Sequence, residues 1–192
     1  PRAPPQASPF SWPGPDLWRR MELEAKVMNR LAHPNVVRFH EIIEREDMLA
    51  FVMEYIDGQT LSDWQSDLSG ELEEIELACV FVDILRGLSH AHYHGVVHRD
   101  LKPGNVMFAP RGGDPLFVKV LDFGLVKVLG EGGENLGLTQ SGVMMGSPRY
   151  MAPEQVKAAP VDARTDIYAF GAVLYHMLTG APPFAAGSAY EA

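Results

Sequence analysis

The chain has 192 residues, 46% of them hydrophobic, enough to bury one sizeable core but not to build several domains. Its 25 acidic against 16 basic side chains give a formal net charge of −9, which argues against non-specific binding to nucleic acid or to an anionic membrane. Cys79 is the only cysteine, so no internal disulfide can form and a reducing, cytoplasmic setting fits; no apolar run approaches the ~20 residues that span a bilayer, and the start is proline-rich rather than a signal peptide.

Residues 1–16 contain Pro1, Pro4, Pro5, Pro9, Pro13 and Pro15 and read as linker or disorder, because proline removes backbone donors. Beyond them, Trp18, Met21, Ala25, Met28 and Leu31 recur at three- or four-residue steps, which predicts one helix face, with Glu24 on the same stripe. His33-Pro34-Asn35 ends that helix. Two strands are expected at 36–43 and 48–54, joined by the polar turn Glu44-Arg45-Glu46-Asp47, and a short helix from Thr60 after the turn at Asp57-Gly58. A long amphipathic helix is predicted over 71–94, burying Leu72, Ile75, Val80, Phe81, Ile84, Leu88 and Ala91 and stopping at Gly95. Short apolar runs follow at 96–97, 106–108 and 116–121, the last two separated by the turn Gly112-Gly113-Asp114-Pro115. The stretch 164–179 is apolar on most sides and reads as a helix buried in the core.

Around these elements stand His98-Arg99-Asp100-Leu101-Lys102-Pro103-Gly104-Asn105, then Asp122-Phe123-Gly124, then Ala152-Pro153-Glu154. Alone, the first would be an ordinary charged turn; the ordered set arises by chance far less often. From residue 18 to its end the chain resembles a serine/threonine protein kinase of the bacterial eukaryote-like type. The resemblance implies an α+β, two-lobed fold, with a small-lobe remnant and hinge at 17–56 and an incomplete, mainly helical large lobe at 57–192. It implies ATP and Mg²⁺ (Mn²⁺ as the alternative) as cofactors, and protein serine or threonine hydroxyls as substrates. Asp100 would then orient the hydroxyl and take its proton, and Lys102 would face the transferred phosphate. Asn105 and Asp122 would hold the metal through hard oxygens. His98 and Phe123 would be structural, and Gly124 would permit the tight turn. Lysine at position 102 favours serine/threonine over tyrosine acceptors.

The same resemblance places adenine on Val52-Met53-Glu54-Tyr55-Ile56, with the Glu54 carbonyl and Ile56 backbone bonding the base, Met53 limiting the pocket and Met107 flooring it. Thr139 and Ser141 resemble activation-segment phosphorylation sites, with Arg99 and Lys127 as cations for the added phosphate. Ser147 would seat the residue after the target hydroxyl. Asp166 would hold the backbone of the catalytic loop, or simply cap its helix, and Glu154 would pair with an arginine outside this sequence. A kinase–kinase dimer for autophosphorylation is a possible partner. Of His90, His92, His94 and His98, the pair His94 and His98 stands four apart, but Gly95 breaks the helix between them and no metal site is expected. Among the five lysines, Lys26, Lys102, Lys119, Lys127 and Lys157, none precedes Glu24, so that glutamate has no upstream ion-pair partner. The two function classes are therefore a segment of an active kinase or a pseudokinase scaffold without its nucleotide clamp. Apolar surface around Val173, Leu174 and Leu178 is expected to be exposed and to make the segment poorly soluble.

Overall fold

A computed structural model describes residues 28–45, 48–66, 73–123 and 148–184. Met28 and Leu31 are buried as expected for one face of the first helix; Trp18, Met21, Glu24 and Ala25 lie outside the described residues. The chain then turns at His33-Pro34-Asn35, where the Asn35 N–H donates to His33 Nδ1 at 3.1 Å. Strand β1 (Phe39–Arg45) pairs antiparallel with β2 (Met48–Met53), in a register that sets Ile42 opposite Phe51 and Ile43 opposite Ala50. The first strand starts later than its apolar pattern suggests. Val36 instead forms a parallel bridge to Val120, so this valine belongs to the second half of the molecule.

After α1 (Leu61–Ser66), helix α2 (Glu74–Tyr93) supplies the central stripe Val80, Ile84, Leu88 and Ala91, all at most 1% exposed. These positions are three or four apart, as one helical face requires. Ile75 corrects the expected core: it is 71% exposed, because five residues before Val80 is the far side of the helix, and Leu77 packs on the core instead. Leu72 falls outside the described residues. Gly87 is required by packing, since a Cβ there would lie 2.8 Å from the Asn35 carbonyl oxygen. That same carbonyl accepts from Val120 N at 2.9 Å.

The second sheet is small. Strand β3 (Val106–Phe108) pairs antiparallel with β4 (Val118–Val120), with Val106 opposite Val120, Met107 opposite Lys119 and Phe108 opposite Val118. The valines and Phe108 are buried, while Met107 and Lys119 share the opposite face, as the two-residue strand period dictates. Val96 and Val97 form no strand. Beyond a short α3 (Pro153–Val156), helix α4 (Ala163–Thr179) is capped by Asp162, whose carboxylate accepts from Arg164 N at 2.8 Å, and ends on Gly180 in the left-handed conformation. The expectation that this helix is buried on most sides is corrected. It buries Thr165, Asp166, Ala169, Ala172 and Val173 on one face and exposes Ile167, Tyr175 and Leu178 on the other. Val173, expected at the surface, is fully buried; Leu178 is 64% exposed.

Candidate active site

Residues 98–105 form a loop between α2 and β3 with little hydrogen bonding of its own, so other parts of the chain must fix its backbone. Asp166, in the first turn of α4 and fully buried, does so. Its Oδ2 accepts from His98 N at 2.8 Å and its Oδ1 from Arg99 N at 2.8 Å. His92 Nε2 adds a third bond to Oδ2 at 2.6 Å. A buried carboxylate needs such donors, because an unpaired charge inside the protein is costly. The helix cap itself is Asp162, so capping is not what Asp166 does. Gln155 Nε2 donates to the Arg99 carbonyl at 2.6 Å, tying the loop also to the segment that carries Ala152-Pro153-Glu154. Arg99 is held at φ 67 and Asp122 at φ 51, two of the three non-glycine residues with positive φ among those described. Such backbone costs about 1–3 kcal/mol per residue and persists only where its surroundings impose it.

Within the loop, Asp100 Oδ2 accepts from Lys102 Nζ at 2.7 Å and from Asn105 Nδ2 at 3.2 Å. Asn105 Nδ2 also donates to the Asp100 carbonyl at 2.8 Å, so the amide nitrogen is committed and Oδ1 is the atom left to act as a ligand. His98 is fully buried and joins this loop to the next motif. Its Nδ1 accepts from Asp100 N at 3.2 Å, which puts the ring proton on Nε2, and Nε2 donates to the Leu121 carbonyl at 2.8 Å. Burial depresses the His98 pKa and keeps the ring neutral, although Asp166 and the Leu121 bond pull the other way. Leu121 N in turn donates to the Asn105 carbonyl at 2.9 Å, which brings Asp122 beside Asn105. Phe123 is 1% exposed and packs on the His98 ring at 4.7 Å between centroids. Glu154 Oε1 accepts from Thr165 Oγ1 at 2.5 Å, and no arginine partner for it is seen among the described residues.

At the other expected subsite, Met53 is exposed, Glu54 and Ile56 are half-buried, and Tyr55 stands in solvent. Glu54 N donates to the Arg38 carbonyl at 2.8 Å, and Glu54 Oε2 accepts from Arg38 N at 3.1 Å and from Lys119 Nζ at 2.8 Å. Burial opposes ionisation of Glu54, but the bonds from Lys119 and Arg38 outweigh it and hold the carboxyl below its ordinary range. Met107 is half-buried on the Lys119 face. Gly124, Lys127, Thr139, Ser141, Ser147 and Glu24 lie outside the described residues.

Two participants escaped the sequence reading. His92, which the sequence offers only as one of four clustered histidines, lies six residues before His98 and reaches the same aspartate. Lys119 entered only in the lysine count; the signal available was a lone cation between two valines in an apolar run. The histidine pair also needs correction. His90 and His94, likewise four apart, are the two that meet, at 4.7 Å between centroids within α2 and past its end. His33 stacks on His90 at 5.0 Å, and His90 Nε2 is buried without a hydrogen-bond partner. No group of three or more metal-ligating side chains is assembled among the described residues.

An anchored loop carrying Asp100, Lys102 and Asn105 thus stands next to a second acidic motif. The model of the protein kinase domain family matches residues 14–191, and the chain belongs to that family. It is 43% identical over 173 residues to the serine/threonine-protein kinase pkn3 of Myxococcus xanthus, covering 88% of this chain and 31% of that protein. The chain thus spans about a quarter to a third of the length of such curated relatives. Among solved structures, the PknI kinase domain of Mycobacterium tuberculosis superposes with a TM-score of 0.69 at 28% identity, over 89% of this chain and 60% of that one. Rad53 in complex with AMP-PNP gives 0.69 at 29% identity, over 86% and 39%. The fold is the α+β protein kinase fold. Among the described residues no helix is long and apolar enough to cross a membrane.

Proposed function

We propose that this chain carries the catalytic loop of a protein kinase that transfers the terminal phosphoryl group of ATP to serine or threonine hydroxyls of proteins. The observation that carries the reading is the Asp100 carboxylate, with Lys102 and Asn105 on one oxygen and a loop backbone held by Asp166. Asp100 Oδ1, the oxygen that neither neighbour engages, accepts the substrate hydroxyl proton. Lys102 supplies positive charge where the transferred phosphate becomes more anionic. Asn105 Oδ1 and the Asp122 carboxylate are hard oxygen donors, a set that fits magnesium and not a soft metal. Bound there, the ion would neutralise phosphate charge during in-line transfer. The hinge at Glu54 and Ile56, with Met53 and Met107 around it, receives adenine; the nucleotide analogue bound to Rad53 supports this in a relative of the same fold.

Ser147 seats the substrate backbone, and phosphorylation at Thr139 or Ser141, countered by Arg99 and Lys127, switches the enzyme on. Autophosphorylation between two copies is the route to that state. The natural protein should label a serine/threonine peptide with γ-phosphate, and Asp100→Asn should lower kcat by about 10²–10⁴-fold, the usual contribution of a positioned general base. Nucleotide binding with no transfer by the wild type would instead assign the chain to a non-catalytic scaffold.

A further inference from the structure

Lys119 stands half-buried beside the expected adenine site without being part of it. Its side chain is 11% exposed and its ammonium lies 2.8 Å from Glu54 Oε2. The Glu54 side chain is 33% exposed, so the pair lies at the edge of the core, with the lysine the more enclosed partner. It joins two halves of one subsite. Through Glu54 it reaches the hinge, and through the β3–β4 register it stands directly opposite Met107, on the face away from the valine core. The hinge has few other holds. Tyr55 is 86% exposed, and among the described residues the Glu54 backbone is tied to Arg38, just before β1. Meanwhile β4 is immobilised from behind, by Asn35 Nδ2 to the Val118 carbonyl at 2.8 Å and by Val37 N to the Val120 carbonyl at 2.9 Å. Three residues beyond Lys119 is Asp122, so the strand that fixes the hinge also delivers the acidic motif.

We propose that Lys119 is a positioning residue for the nucleotide base: by clamping Glu54 to β4, it sets where the hinge backbone meets adenine relative to Met107. This rests on the kinase reading above. The Glu54 carbonyl accepts only from a base with an amino group at the matching place, as adenine has; guanine presents an acceptor there. A hinge released from Lys119 loses both affinity and this discrimination, whereas Asp100 and its partners are untouched.

The test uses the natural full-length protein and its Lys119→Met, Lys119→Arg and Glu54→Gln variants. Expected for Lys119→Met is a KM for ATP raised about tenfold, corresponding to ~1.4 kcal/mol, with kcat within about twofold of wild type. The ADP dissociation constant from calorimetry should rise in parallel and the preference for ATP over GTP should fall. Lys119→Arg should restore both, because it can still donate to the carboxylate. Glu54→Gln should weaken ADP in the same direction, so the proposal stands testable even if Lys119→Met fails to fold. An unchanged ADP affinity and ATP/GTP preference in Lys119→Met and Glu54→Gln overturns it, as does a fall in kcat with KM constant. If the wild type binds ADP but transfers nothing, the kinase reading fails while the calorimetric comparison still decides the role of Lys119. A wild type that binds no nucleotide overturns both.

Discussion

Two groups of histidines interleave at the C-terminal end of α2 and could hardly be treated more differently. His92 and His98 each have a defined partner, Asp166 for one and Asp100 N with the Leu121 carbonyl for the other. His33, His90 and His94 mainly touch one another, and His90 Nε2 is buried with no partner at all. A polar atom shut away from water is tolerable when bonded and costly when not. The first group therefore holds the functional loop in place, while the second is a local weakness that the packing of α2 against the 33–36 turn carries.

The strongest way to break this contrast is to remove its hub. Asp166→Ala strands two backbone donors and the His92 ring, and should cost about 3–5 kcal/mol, a melting point lower by on the order of 10 °C, together with phosphoryl transfer. An unchanged melting curve would mean that the loop is anchored elsewhere. Acid should act on both groups. Burial lowers the pKa of His98, His90, His33 and His176, with neighbouring His90 and Arg86 adding to the effect on His33, His94 on His90 and Arg149 on His176. The unfolded chain then binds more protons than the folded one, so stability is intact above about pH 6.5 and declines as pH falls below it, by at most ~1.4 kcal/mol per pH unit for each histidine. Denaturant midpoints that stay flat from pH 7 to 5 would contradict this.

Smaller effects separate the groups from each other. His92→Ala should cost about 1–3 kcal/mol by chemical denaturation, because it takes one of three donors from a buried carboxylate. His90→Leu should be neutral or stabilising by up to ~1 kcal/mol, since it replaces an unbonded polar atom with an apolar side chain of similar reach. If His90→Leu destabilises as much as His92→Ala, the two clusters are equivalent and the contrast is wrong.

The residues of the candidate site were legible because the chemistry demands particular side chains in a particular order: Asp100, Lys102, Asn105 and Asp122 stand close in sequence or in recognisable motifs. What supports them was harder to see. His92 and Lys119 act through partners 74 and 65 residues away, and no local pattern records such a pairing. Ile75 is apolar and belongs to the amphipathic helix, but its angle to Val80 puts it on the solvent side. The face of α4 was misjudged for the opposite reason: a run of apolar residues all round gives no phase, and the buried Asp166 was the clue that one side faces a polar loop.

The long reach of Asp166 has a consequence for how the molecule is made. Every group proposed to touch substrate or metal in the catalytic loop and Asp122 has left the ribosome well before α4, yet the bonds that set the loop backbone span 67 and 68 residues and wait for that helix. A nascent chain that has reached Phe123 thus holds its chemical apparatus without its frame. On the kinase reading, the emerging polypeptide would therefore gain its ordered loop only when the anchor arrives.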